Sequence, residues 1–481
     1  MARTSSKDNT VATGQGISIV PTGHALYIWA ISMVGALGGL LFGYDWVVIG
    51  GAKPFYEKYF GLASAGQQGW AMSCALIGCL LGAIVSGGLS DRYGRKRLLI
   101  LAAFLFASSS IGTGLAGNFP TFVTWRIMGG LAIGLASSLS PVYIAEIAPA
   151  GLRGKLVSLN QLAIVIGILL AQSVNWLIAK PIPSDATARQ ILESWNGQIG
   201  WRWMFGVTAI PSALFFLAMF LVPESPRWLA KQRWDERARR VLTRIGGESY
   251  ASGALAEIEE TLANETSGRV DFGTLLELRT RKVLLLGMSL AVLQQWSGIN
   301  VIFNYAEEVF SAAGYKASDI LFNIVLTGTV NLVFTFVAMG IVDKRGRRYL
   351  MLIGFAGLAT IYTLLGELYH IRSHGPHMLW LVVAAIGCYA MSLAPVTWVV
   401  ISEIFPNRIR GAGVSISVAT LWVACFVLTY TFPLLNKGLG AAGTFWIYAL
   451  ICAFGFLFTK TRLPETKGKT LEEIESFWNR S

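Results

Sequence analysis

Charged residues are scarce in this 481-residue chain: Asp, Glu, Lys and Arg make up 14% of it, against about 25% in a soluble globular protein. That leaves too little polar material to cover a water-facing surface, and it excludes an ordinary soluble fold. Cysteine is sparse as well. Cys74, Cys79, Cys388, Cys425 and Cys452 all fall in apolar stretches, without the spacing of a disulfide framework or a metal site, and read as small buried hydrophobes. Of the four histidines, His370, His374 and His377 cluster in an apparent external loop with no second ligand set, so neither zinc nor haem is expected. No G-x-x-x-x-G-K-[ST] loop or other nucleotide cradle occurs, and no cofactor is expected.

What the chain has in abundance is apolar sequence. Hydrophobic residues reach 54%, and the mean hydropathy is +0.56. Twelve runs of spanning length stand out, at about 28–50, 70–90, 98–117, 121–144, 157–179, 201–222, 283–309, 320–342, 350–369, 378–402, 412–435 and 443–460. The 52 glycines and 16 tryptophans suit helices packed closely in lipid and rings at the headgroup level. A formal charge of +12 could suggest nucleic-acid binding, but the basic residues form no continuous face. They sit in short loops, at 91–97, 153–155 and 343–348, which marks that side as cytoplasmic. An even number of spans puts both termini there. Residues 1–27 read as a polar cytoplasmic tail without a cleavable signal, and 461–481 as a second tail.

The chain repeats itself. D-R-Y-G-R-K-R at 91–97 returns as D-K-R-G-R-R at 343–348; Glu146 with Arg153-Gly154 returns as Glu403 with Arg410-Gly411; Pro223-Glu224 returns as Pro464-Glu465. The spacing is nearly constant, so the chain divides into two similar six-helix halves, 28–222 and 283–460. Between them lies a hydrophilic segment, 223–282, holding 11 Lys/Arg and 10 Asp/Glu in patterns suited to short surface helices. Paired halves of this kind enclose a central site near the bilayer midplane, an arrangement for which an enzyme or receptor has no need.

Polar residues within apolar runs point to what that site holds. A turn carrying Asp91, Arg95 and Arg97 can set a carboxylate against guanidinium groups, and Glu146 and Glu403 can pair with arginines of their own half. Such networks could latch the cytoplasmic ends, or the basic loops could simply mark topology. Asp45 lies in the first run and Arg126 in the fourth; a carboxylate there needs that partner or a proton. The pair could also be a fixed bridge. Amides crowd the fifth, seventh and eighth runs: Gln161, Gln172, Asn175, Gln294, Gln295, Asn300, Asn304 and Asn331, with Tyr305 beside them. Carboxamides both donate and accept without charge, as a neutral polyhydroxylated ligand requires, though some amides serve only to join helices. Trp398, Trp422 and Phe42 offer flat apolar faces for a pyranose ring.

The motifs G-G-L-L-F-G-Y-D (38–45), D-R-Y-G-R-K (91–96), P-E-S-P-R-W-L (223–229), Q-Q-x-S-G-I-N (294–300), D-K-R-G-R-R (343–348) and P-E-T-K-G-K-T-L-E-E-I (464–474) run through nearly the whole sequence. In these the chain resembles the sugar porters of the major facilitator superfamily, especially bacterial D-xylose:proton symporters and mammalian facilitative glucose carriers. The resemblance implies an all-α membrane protein with twelve transmembrane helices in two pseudo-symmetric halves, working by alternating access in a bacterial inner membrane. It implies a monosaccharide:proton symporter taking D-glucose or D-xylose, sufficient as a monomer, with a facilitative uniporter or a non-transporting sugar sensor as alternatives. Sugar contacts fall by motif on Gln161, Gln294, Gln295, Asn300, Asn331 and Trp398, with Tyr305 closing over the site and Asp45 with Arg126 coupling the proton. The charged motifs, with Asp91, Arg95, Arg97, Glu146, Arg153, Glu224, Arg227, Asp343, Arg347, Glu403, Arg410 and Glu465, form the cytoplasmic gate. Four positions depart from the pattern: Ile168 and Leu421 stand where amides are usual, Asn304 where a tyrosine is, and Ala390 where the glucose carriers have an acid.

Overall fold

Long apolar runs in lipid must satisfy every backbone group internally, and helices do so within one segment. A computed structural model describes residues 22–183, 186–265, 277–315, 317–406 and 409–467, and among these there is no strand. The terminal tails therefore lie mostly outside the described residues. The first half comprises α1 (Thr22–Phe60), α2 (Ala65–Tyr93), α3 (Arg95–Leu115), α4 (Phe119–Ile147), α5 (Ala150–Ile178) and α6 (Asn196–Leu221). Helices Pro226–Lys231, Asp235–Gly246 and Glu248–Glu265 follow in the charged segment. The second half begins with α7, made of Leu278–Gln295 continued by Ile299–Asn304 and Ala306–Ala312. Then come α8 (Ala317–Arg345), α9 (Arg347–His370) and α10 (Pro376–Glu403).

The last helix, Arg410–Arg462, has 53 residues and would measure about 80 Å if straight, more than twice the hydrocarbon thickness. It breaks at Gly440, whose φ of 68° no ordinary helix residue adopts, and so supplies α11 and α12. Counted with that break, the eleven long apolar helices among the described residues supply the twelve expected spans. Most are longer than their apolar runs, because helical hydrogen bonding continues past the hydrocarbon boundary into polar sequence.

Small residues set the spacing. A Cβ added at Gly130 of α4 would lie 1.8 Å from the Ala75 carbonyl oxygen of α2, and one at Gly43 of α1 would lie 1.9 Å from the Ile164 oxygen of α5. Backbone therefore meets backbone inside the first half. Gly130→Val is expected to destabilise the protein by about 3 kcal/mol through forced separation of α2 and α4. Thermal unfolding in detergent reads this directly, and an unchanged midpoint would refute the packing. The halves meet where α2 runs along α11 and α5 along α8.

Two spans are broken where they reach the centre. In α7 the helix stops at Gln295 and restarts at Ile299, with Gly298 left-handed at φ 84°. In α10 it is interrupted at Ser392. Non-helical backbone at membrane depth is tolerable only inside protein or beside water, so both breaks mark the functional interior.

Candidate functional site

Asp45 and Arg126 meet across α1 and α4. The Arg126 Nη1 donates to both carboxylate oxygens, at 2.9 and 3.0 Å, and each residue is only 3% exposed. The guanidinium also lies 5.3 Å from the centre of the Phe205 ring, and its Nε is buried without a hydrogen-bond partner. Separating such a pair in a dry interior leaves an uncompensated charge, which costs several kcal/mol (about 3–5). Arg126 shares a small cavity with Trp46, Met72, Cys79 and Asn304, so the charge pair adjoins the broken part of α7.

The break in α7 brings its amides together. Gln294 donates from Nε2 to the Tyr389 hydroxyl of α10, while its Oε1 has no partner. Gln295 accepts from the Nδ2 of Asn300, five residues later, which also approaches Cys425 Sγ at 3.8 Å. Asn304 is buried with its Oδ1 unpartnered. Asn331 is buried on α8, Gln161 is half-buried on α5, and Trp398 is 41% exposed on the second part of α10. Ile168 and Leu421 are buried apolar surface where amides were usual. Tyr305 is fully buried; its hydroxyl donates to the Thr429 carbonyl at 2.6 Å and its ring packs on Phe432.

The aromatic expectation needs an addition. Trp422 packs on Phe42 and on Trp46, with ring centres 6.0 Å away in each case, so α1 and α11 share a cluster of three rings. Sequence reading passed over Trp46, whose only signal was its place beside Asp45, and Tyr389, which lies in an otherwise apolar run. It noted Gln172 without giving it a role. That residue is buried with both side-chain polar atoms unpartnered, seated over Gly328 of α8.

The repeated charged turns form two copies of one arrangement. Gly94 and Gly346 have φ of 95° and 90°. Arg95 donates to Asp91 and to Glu146, both at 3.1 Å, and Arg347 donates to Glu403 at 3.2 Å. Glu224 and Glu465, placed by motif in the cytoplasmic charge network, bind backbone rather than side chains. Glu224 accepts from the backbone N–H groups of Arg95 and Lys96 at 3.0 Å, and Glu465 from those of Arg347 and Arg348 at 2.9 and 3.1 Å. Each carboxylate thus caps the start of the third span of its half, where unpaired donors and the helix dipole favour an anion. A Cβ at Gly94 would come within 2.3 Å of Glu224 Oε2, which explains the glycine twice over. Burial pushes the Glu224 carboxyl above the usual carboxylate range, against the pull of those N–H donors.

The other charged positions are scattered around this arrangement. Lys231 bonds Asp91 at 2.8 Å and so docks Pro226–Lys231, the short helix that also carries Arg227. Arg410 donates to the Phe405 carbonyl at 3.4 Å. Arg97 is exposed, beside Arg237 and Arg240 of the linker rather than within the network. Arg153 is exposed near Tyr250. The Asp343 side chain lies outside the described residues.

Two matched six-helix halves, broken spans lined by amides at the centre and duplicated charged turns at one end define a membrane carrier with the major facilitator fold. A family model for sugar (and other) transporters matches residues 31–478, and the chain belongs to that family of transporters. It is similar to the D-xylose-proton symporter of Escherichia coli (strain K12), with 40% identity over 95% of this chain and 96% of the relative. It is also similar to the arabinose-proton symporter of Bacillus subtilis (strain 168), with 39% identity over 95% and 97%. Among solved structures it matches the inward open conformation of the E. coli xylose transporter XylE with a TM-score of 0.82, at 38% identity, over 94% of this chain and all of the other.

Proposed function

We propose that this protein imports a neutral monosaccharide together with a proton, by alternating access between the two faces of a bacterial inner membrane. The observation that carries the reading is the buried Asp45–Arg126 pair, whose Arg126 lines the same small cavity as Asn304 of the broken α7. A carboxylate that can lose its guanidinium partner when it takes a proton is thereby linked, through Arg126, to the broken span that carries the amides. In this reading Gln161, Gln294, Gln295, Asn300, Asn331 and Trp398 hold the sugar, and Asn304 and Tyr305 lie at its gate. The basic loops face the cytoplasm, as do both termini, and residues 28–222 and 283–460 move as two bodies joined by 223–282. One copy contains every part this requires.

A proton-independent facilitator is the second reading, favoured by how dry and complete the Asp45–Arg126 bridge is. Uptake of labelled sugars into proteoliposomes, with and without an imposed proton gradient, separates the two. Accumulation above the external level is expected only with the gradient. Glucose is expected to compete at least as well as xylose, because Ile168 and Leu421 give up hydrogen bonds to the smaller sugar while leaving apolar room. Equal filling to equilibrium under both conditions would make it a facilitator. Sugar binding without any flux would make it a sensor.

A further inference from the structure

The charges that sequence patterns single out lie at the basic-loop end and at the centre. The structure carries another set at the opposite end. Lys53, near the end of α1, pairs with Glu57 one turn on, at 3.1 Å, and with Glu308 in the last segment of α7. Lys53 is 3% exposed and Glu57 8%. The first contact stays within one helix, whereas the second joins the two halves. Around it the halves touch closely. Gly50 of α1 faces the backbone carbonyls of Phe303 and Asn304, where an added Cβ would lie at 3.0 Å. The Lys53 ammonium stands 5.7 Å from the centre of the Tyr305 ring, and Tyr305 is itself fastened to α11 through Thr429. Pro54 follows at once and removes a helical hydrogen bond, so α1 bends most easily beside this contact.

We propose that Lys53 and Glu308 are the bolt of the outer gate: their ion pair holds α1 against the end of α7 and keeps the site closed on the side opposite the basic loops. Opening to that side requires the pair to part, and water must then take over the hydration of both charges. A pair that is buried in one state and solvated in the other biases the population between them. Lys53 acts here through helix position, so it is a positioning residue rather than a sugar contact. The inference rests on alternating access as proposed above, but its test uses neither sugar nor proton gradient, so failure of the substrate reading leaves it standing.

Glu57 supplies the control, because it has the same chemistry in the same cluster without crossing between halves. Spin labels at Ala63→Cys and Ile371→Cys, exposed at the gate end of each half, report the gate distance in liposomes, with the parent chain as labelling background. Glu308→Gln is expected to raise the ratio of long to short distances by about tenfold or more, since it leaves Lys53 without its partner across the gate. Glu57→Gln is expected to stay within about twofold of the parent, an intrahelical pair being worth little to the gate. Lys53→Gln removes the same cross-half contact from the other side and is expected to repeat the Glu308→Gln shift, which settles the matter if one variant fails to fold. A folded Glu308→Gln or Lys53→Gln protein with the parent distribution overturns the proposal. So does a Glu57→Gln shift as large as that of Glu308→Gln.

Discussion

Asp45→Asn protein is expected to lose proton-driven sugar accumulation altogether while still binding sugar and exchanging it across the membrane. Asparagine keeps the size of the side chain and resembles the protonated acid, but it cannot take up or release a proton. Arg126 then faces a neutral partner in every state, at the 2.9 Å contact where it now meets a carboxylate. Coupling requires that proton affinity differ between the two access states and that sugar prefer one of them. With the titrating group gone, the first condition fails and only the sugar gradient drives net flux. The measurement is uptake by the variant in liposomes under an inward proton gradient, with sugar counterflow confirming that the protein is folded. Accumulation at the parent level would remove Asp45 from the mechanism and favour the facilitator reading.

Gln295→Ala is expected to weaken sugar binding by about 1–3 kcal/mol, roughly 5- to 150-fold, with little change in thermal stability. The reason is local. Gln295 accepts from Asn300, so truncation removes one carboxamide and releases another from its orientation. Both amides flank the left-handed Gly298, where the helix is already interrupted and nothing else in the backbone can restore their placement. Calorimetric titration with the transported sugar gives the answer. Unchanged affinity would show that the ligand does not sit against α7.

Much of the architecture is legible in the sequence because lipid imposes a simple rule on it. Apolar length locates the spans, and the paired motifs reveal the two halves. The Asp45–Arg126 contact was also foreseeable, since an isolated carboxylate in such a run has few escapes. Helix ends were harder to place: α1 begins at Thr22 and ends at Phe60, well beyond its apolar run, because hydropathy measures the solvent rather than the hydrogen bonding. Contacts between the two halves left no mark at all. Glu308 looked like one of two acids at the end of a span, and nothing in its neighbours names Lys53 as its partner. Glu224 and Glu465 were recognised as a repeated signal, but their acceptance of backbone N–H groups depends on the approach of two glycines that only the folded chain reveals.

Those two carboxylates have a mechanical consequence. Each stands just beyond the sixth span of its half and reaches back to the third, so each half is a loop buckled by its own end. Thr466 tightens the second buckle by donating to Glu403 at 2.6 Å. Neither fastening draws on the linker helices Asp235–Gly246 and Glu248–Glu265. Each half thus carries its own clasp, closed by the carboxylate that follows its sixth span.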